Sequence, residues 1–199
     1  MPISNDPSTV LTAYQAWQKA EGIPVIRGFY VEDLRTVEVK PWARKGGKGV
    51  FIDLEGTGGP NDAYVCEIPA GGTLEPQRHL YEEVIYVLKG RGATAVWTEG
   101  GFKLTFEWQA GSLFAIPLNS WHQHFNASGT GAVRYYGVTT APLVMNLFHN
   151  HDFIFNNPFV FRDRFSEEAD FFSGRGTFLA SRIWEANFIP DVNTFQLLE

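Results

Sequence analysis

The stretch Gly71 to Gly90, GGTLEPQRHLYEEVIYVLKG, decides how this chain is read. Gln77 and His79 stand two positions apart, so an extended backbone turns both side chains to one side. Glu83 follows four residues after His79, at the opening of the strand-like run EVIYVL, and can return a carboxylate to the same place. Three donor side chains brought together in this way form half of a metal site.

The other half lies at Gly111 to Asn126, GSLFAIPLNSWHQHFN. A strand-like run ends at Pro117, the chain turns at Asn119, and a second run carries His122 as a fourth donor. His124 has the same strand parity as His122 and is expected near the ligands, in their outer shell or in the pocket. Tyr86, Phe114, Trp121 and Phe125 are candidates for an aromatic pocket, with core packing as the alternative. Glu82 and Arg78 alternate with the donors and should face away. His149 and His151 form a second His-x-His pair but lack a third ligand nearby, and are read as surface or interface residues.

The two stretches resemble the two cupin motifs. The first of these runs Gly, five residues, His-x-His, three or four residues, Glu, six residues, Gly; Gly71, His79, Glu83 and Gly90 occupy its places. The second runs Gly, five residues, Pro-x-Gly, two residues, His, three residues, Asn; Gly111, Pro117, His122 and Asn126 occupy those. Gln77 stands where the first His is usual, and Asn119 where the turn Gly is usual. The Asn119 change is mild, because Asn tolerates left-handed backbone.

The resemblance implies an all-β cupin double-stranded β-helix, a jelly-roll barrel, with a divalent ion held by Gln77, His79, Glu83 and His122. A mixed nitrogen and oxygen donor set suits Mn, Fe, Co, Ni or Zn better than Ca. The chain looks like the amino-terminal half of dioxygenase-type bicupins, which implies an oxygenase or related lyase acting on a small organic molecule. Phosphomannose isomerases, which are also cupins, resemble it in their Gln-x-His pair, so a sugar or sugar-phosphate isomerase is a second reading. A non-catalytic cupin that binds a small ligand or serves in assembly is a third. No Ser-His-Asp or Cys-His spacing, phosphate-cradling Gly loop or dinucleotide fingerprint is present in the sequence.

Composition sets the surrounding limits. The 199 residues are 44% apolar and 15% aromatic, enough for one sizeable core. A formal charge of −6 disfavours nucleic-acid and anionic-membrane partners, and Arg44, Lys45 and Lys48 read only as a short basic loop. A lone Cys66 and a start, MPISNDPSTV, without a basic-then-apolar leader point to the cytoplasm.

Residues 8–21 place Val10, Leu11, Tyr14 and Trp17 at helical intervals, which predicts a helix capped by Ser8 and stopped at Gly22. The organisation expected is a helical extension over 1–36, a barrel over 37–140, and an extension over 141–199. Within the barrel, Gly90-Arg91-Gly92 and Glu99-Gly100-Gly101 read as hairpin turns in a mostly antiparallel sheet. Of the 17 Phe residues, 11 lie between Phe148 and Phe195, too many for a solvated tail. They must cover either the barrel itself or a second chain, and a homodimer is the simplest closed form of the latter.

Overall fold

The computed structural model describes residues 10–56, 59–179 and 183–194. The predicted first helix is α1, Ala13–Ala20. It begins later than its apolar spacing suggested because Thr12 and Gln15 cap each other's backbone N–H groups. Ser8 lies outside the described residues.

Strands follow in close succession: β1 (Val25–Gly28), β2 (Lys40–Trp42), β3 (Gly47–Leu54), β4 (Asp62–Ile68), β5 (Glu83–Lys89), β6 (Arg91–Trp97), β7 (Leu104–Gln109), β8 (Leu113–Ile116), β9 (Trp121–Asn126) and β10 (Val133–Thr139). The last third adds helices α2 (Ala141–Phe148) and α3 (His151–Asn156) and short strands β11 (Thr177–Leu179), β12 (Ile183–Glu185) and β13 (Phe188–Ile189).

The larger sheet runs β1-β3-β4-β10-β5-β8-β13, with β2 also on β3, and the smaller runs β7-β6-β9. Every pair is antiparallel except β1 on β3. One core fills the space between the sheets, with Ile85, Val87, Phe114 and Tyr135 from the larger meeting Val96, Phe106 and Trp108 from the smaller. This is a jelly roll. Strand β9 alternates between core and outer face, with His122, His124 and Asn126 buried and Trp121, Gln123 and Phe125 less so, whereas β3 and β4 are buried on both faces because Val50, Ile52, Ala63 and Val65 form a second cluster.

Two glycine signals resolve differently. Glu99-Gly100-Gly101 closes the β6–β7 hairpin as expected. Gly90 does not close one: β5 pairs with β10 and β8, whereas β6 pairs with β7 and β9. The chain turns a corner there from one sheet into the other. The positive φ of 88° that Gly90 supplies serves a corner as well as a turn, which is why sequence could not separate the two.

The Phe-rich segment packs on its own barrel. Phe172 stacks on Phe106 at 4.1 Å between ring centroids, Phe165 and Phe188 are buried in the same core, and β13 extends the larger sheet beside β8. Leu143, Leu147, Phe148, Phe153 and Phe159 remain exposed. Phe195 lies outside the described residues. None of the helices in the described residues is long and apolar enough to cross a membrane.

Candidate metal centre

Between β4 and β5 the chain runs extended without a full ladder. Gln77 pairs with His122 as an isolated bridge, the backbone N–H of each donating to the carbonyl of the other at 2.9 and 2.8 Å. This bridge, rather than the strand expected there, sets the two motifs side by side. Asn119 holds the second motif's turn at φ 57°, and its N–H donates to the His79 carbonyl. The left-handed conformation expected at this position is therefore present with Asn in the role of Gly.

His79, Glu83 and His122 converge in the interior, with one candidate ligand atom from each lying within 4.8 Å of the others. His79 Nε2 is 3.4 Å and His122 Nε2 3.6 Å from Glu83 Oε2. None of these three atoms has a hydrogen-bond partner among the described residues, although all are buried. The other nitrogens are occupied: His79 Nδ1 meets the Tyr81 carbonyl at 2.8 Å and His122 Nδ1 the Ser120 carbonyl at 3.2 Å. A carbonyl only accepts, so Nδ1 carries the proton in both rings and Nε2 presents a lone pair. Two converging imidazole lone pairs and a carboxylate oxygen, buried without partners among the described residues, fit a divalent cation. Burying such atoms unpaired would otherwise be costly.

Glu83 is oriented by its second oxygen. Tyr64 donates its hydroxyl to Oε1, Lys45 Nζ lies 3.8 Å from the same atom, and Lys45 also donates to the Tyr64 hydroxyl at 3.0 Å. Burial pushes the Glu83 carboxyl up, but the Lys45 charge outweighs it and holds Glu83 well below the usual carboxylate range. Burial pulls the Lys45 ammonium down, and Glu83 offsets part of that. Burial, with the Glu83 charge, holds the Tyr64 phenol well above its ordinary value. Burial also drives both His122 and His124 down, so each is neutral at pH 7.

The other expected site residues fall into two groups. His124 is interior, its ring 5.5 Å from that of His122, and Phe114 packs 6.3 Å from His124. Trp121 and Phe125 occupy the opposite face of β9, because odd positions on that strand point away from the ligands. Trp121 instead stacks on Trp97 and donates to Glu99. Tyr86 is likewise on the outer face of β5, out of phase with Glu83. Arg78 faces outward over the Trp121 ring, Glu82 is exposed, and so are His149 and His151.

Gln77 is buried, but its amide oxygen accepts from Arg44 Nη1 at 3.2 Å. Arg44 is itself held by Glu21 at 2.8 Å and lies over the rings of Trp17, Trp42 and Phe155. The short basic loop of the sequence is thus largely internal, since Lys45 is 2% exposed. Arg44, Lys45, Tyr64 and Tyr81 were not signalled by the motifs. Tyr81 stacks on His79 at 3.8 Å and is backed by Phe155 of α3, while Leu80 donates its N–H to the Ile154 carbonyl. Asn119 donates to the carbonyls of Asn157 and Phe159. The carboxy-terminal segment therefore clamps both ligand-bearing loops.

Residues 64–139 match the family model of the cupin domain, and all the candidate ligands lie inside that match. Solved structures similar to it include oxalate decarboxylase from Lactobacillus farciminis in a formate complex, at 24% identity and a TM-score of 0.46, covering 55% of this chain and 32% of that one. Vicilin from Capsicum annuum is similar at 17% identity and a TM-score of 0.43, covering 48% and 28%. The cupin domain of Schizosaccharomyces pombe Cnp3 is similar at 20% identity and 0.43, covering 54% and 70%. The chain spans about a third of the length of the first two. A search of curated proteins gave no match.

Proposed function

We propose that this protein is a metal-dependent cupin enzyme acting on a small organic molecule, as an oxygenase or related lyase. The observation that carries the reading is the buried trio of His79 Nε2, Glu83 Oε2 and His122 Nε2, convergent and without partners among the described residues. A divalent transition ion held there would supply Lewis-acid or redox chemistry. Three protein donors leave coordination positions for a substrate, and Gln77 is proposed as a fourth, weaker donor through the lone pair that Arg44 does not occupy. Glu83 stays ionised through Lys45 and Tyr64, and His79 is fixed by Tyr81. Cytoplasmic residence and a homodimer, the latter through the exposed apolar side chains of the last third, complete the proposal.

A second reading, a non-catalytic ligand-binding cupin, is favoured by the Arg44 contact, which draws the Gln77 oxygen toward a cation. The isomerase reading gains little from the nearby cations, because Lys45 is engaged by Glu83 and Tyr64 and Arg44 by Glu21. The test is elemental analysis after supplementation with Mn, Fe, Co, Ni and Zn, followed by oxygen-uptake and carbon dioxide assays on small carboxylic and hydroxy acids. Near-stoichiometric metal with turnover is expected. Absence of metal after supplementation would leave the binding module.

A further inference from the structure

We propose that His124 is a built-in hydrogen-bond donor beside the candidate metal centre, with its Nε2–H available to an anionic oxygen of the substrate and its tautomer set by Trp108 through Thr94. The proposal deepens the metal-site reading and rests on it for the identity of the ligand, but not for the tautomer.

The three interior histidines have different kinds of partner. His79 and His122 each place Nδ1 against a backbone carbonyl, which forces the proton onto Nδ1 and leaves Nε2 as a lone pair. His124 places Nδ1 against a hydroxyl, Thr94 Oγ1, at 2.8 Å. That oxygen already accepts the indole N–H of Trp108 at 2.7 Å, and an indole can only donate. Among the described residues, His124 Nδ1 is then the neighbour left to take the Thr94 hydroxyl proton. The reverse assignment would leave that proton without an acceptor on a residue that is 0% exposed. The chain of donation therefore runs Trp108 to Thr94 to His124 Nδ1, and Nε2 bears the hydrogen.

That Nε2 is buried and has no partner among the described residues. An Nε2 that carries hydrogen offers no lone pair to a cation, and neither ring nitrogen of His124 joins the group formed by His79, Glu83 and His122. His124 nonetheless shares the inward face of β9 with His122. A fixed donor in a site lined by Phe114 and Tyr135, with no protein acceptor, is matched by a carboxylate or enolate oxygen from the ligand.

The tautomer is read on metal-free protein with ¹⁵N-labelled histidine by long-range nitrogen–proton correlation. His124 is expected with a protonated Nε2 and a bare Nδ1, and His79 and His122 with the opposite pattern. A protonated Nδ1 on His124 overturns the proposal, whether or not the protein binds metal. The donor role is read on protein loaded with Co(II), titrated with acetate and followed by visible absorption. His124→Phe should weaken acetate binding by roughly tenfold, the loss of one hydrogen bond to a charged group, while Co(II) affinity stays within about threefold. His124→Gln, whose amide N–H falls near the Nε2 position, should recover most of the acetate affinity. Unchanged acetate affinity in His124→Phe overturns the proposal, as does a loss of Co(II) affinity in both variants. Failure of the wild type to bind Co(II) would instead remove the metal reading and leave the tautomer result to decide.

Discussion

Replacing His122 by Ala removes one of three convergent donor atoms from the interior cluster. Loss of a residue that merely orients a ligand costs about 10–100-fold in metal affinity, so losing the ligand itself should raise Kd by at least roughly tenfold. Binding confined to the folded state stabilises it by RT ln(1 + [L]/Kd), about 2.7 kcal/mol at 100 times Kd. In a chain of 199 residues each kcal/mol moves the midpoint by about 2–4 °C, so the wild type should gain roughly 5–10 °C from metal. At the same metal concentration a tenfold weaker site retains about 1.4 kcal/mol, and a hundredfold weaker one about 0.4 kcal/mol. The metal-induced shift should therefore fall to half or less. Each variant is compared with its own metal-free form, so the cavity left by the substitution cancels. The assay is thermal unfolding with and without Co(II) or Zn(II), alongside His149→Asn. His149 is exposed at φ 51°, a conformation that Asn tolerates, and its replacement should leave the shift intact. A full shift in His122→Ala, or a lost one in His149→Asn, would refute the placement of the site.

Gln77→His should raise affinity for Ni, Co or Zn by roughly tenfold, because imidazole is the better donor to late transition ions; calorimetric titration showing no change for any of them would mean that position 77 does not face the ion. Metal-free protein should lose stability as pH falls from 7 to 5. Burial lowers the His124 pKa to about 3, so between its ordinary value near 6.5 and that value the unfolded chain binds the extra proton, and His124 alone should cost about 2 kcal/mol by pH 5. Urea unfolding at the two pH values with a difference under about 0.5 kcal/mol would contradict a buried neutral imidazole. Phe172→Ala removes a ring stacked at 4.1 Å on Phe106 and should cost about 3–5 kcal/mol, and a near-neutral denaturation curve would show that the last third is not part of the core. Sedimentation velocity should show self-association, since Leu143, Leu147, Phe148 and Phe153 are exposed, and a monomer at every accessible concentration would count against the dimer.

What the sequence determined is the arrangement carried by fixed spacing. The distance from His79 to Glu83, the Pro117–Asn119 turn before His122, and the alternation of β9 are local quantities, set by backbone geometry within a few residues. They suffice to bring His79, Glu83 and His122 to one place once the sheets close. The same alternation argued for Arg78 and Glu82 facing outward. Applied to Trp121, Phe125 and Tyr86, it would have turned them away from the pocket as well.

The tertiary structure decided everything that depends on contacts far apart in the chain. Lys45 and Tyr64 are 19 residues apart, Arg44 and Gln77 are 33 apart, and Thr94 and His124 are 30 apart. No periodicity links such pairs, and a lysine in a Gly-rich basic loop looks solvated until Trp42, Tyr64 and Glu83 close around it. The corner at Gly90 was ambiguous for a related reason: a positive φ is a local requirement, but which strand comes next in the sheet is a global one. The hold of α3 on Tyr81 and Leu80 likewise exists only because the chain returns to the ligand loop after the barrel is complete. Local sterics write the spacing of the candidate ligands into the sequence, whereas burial, which sets the charge of each group, belongs to the folded whole.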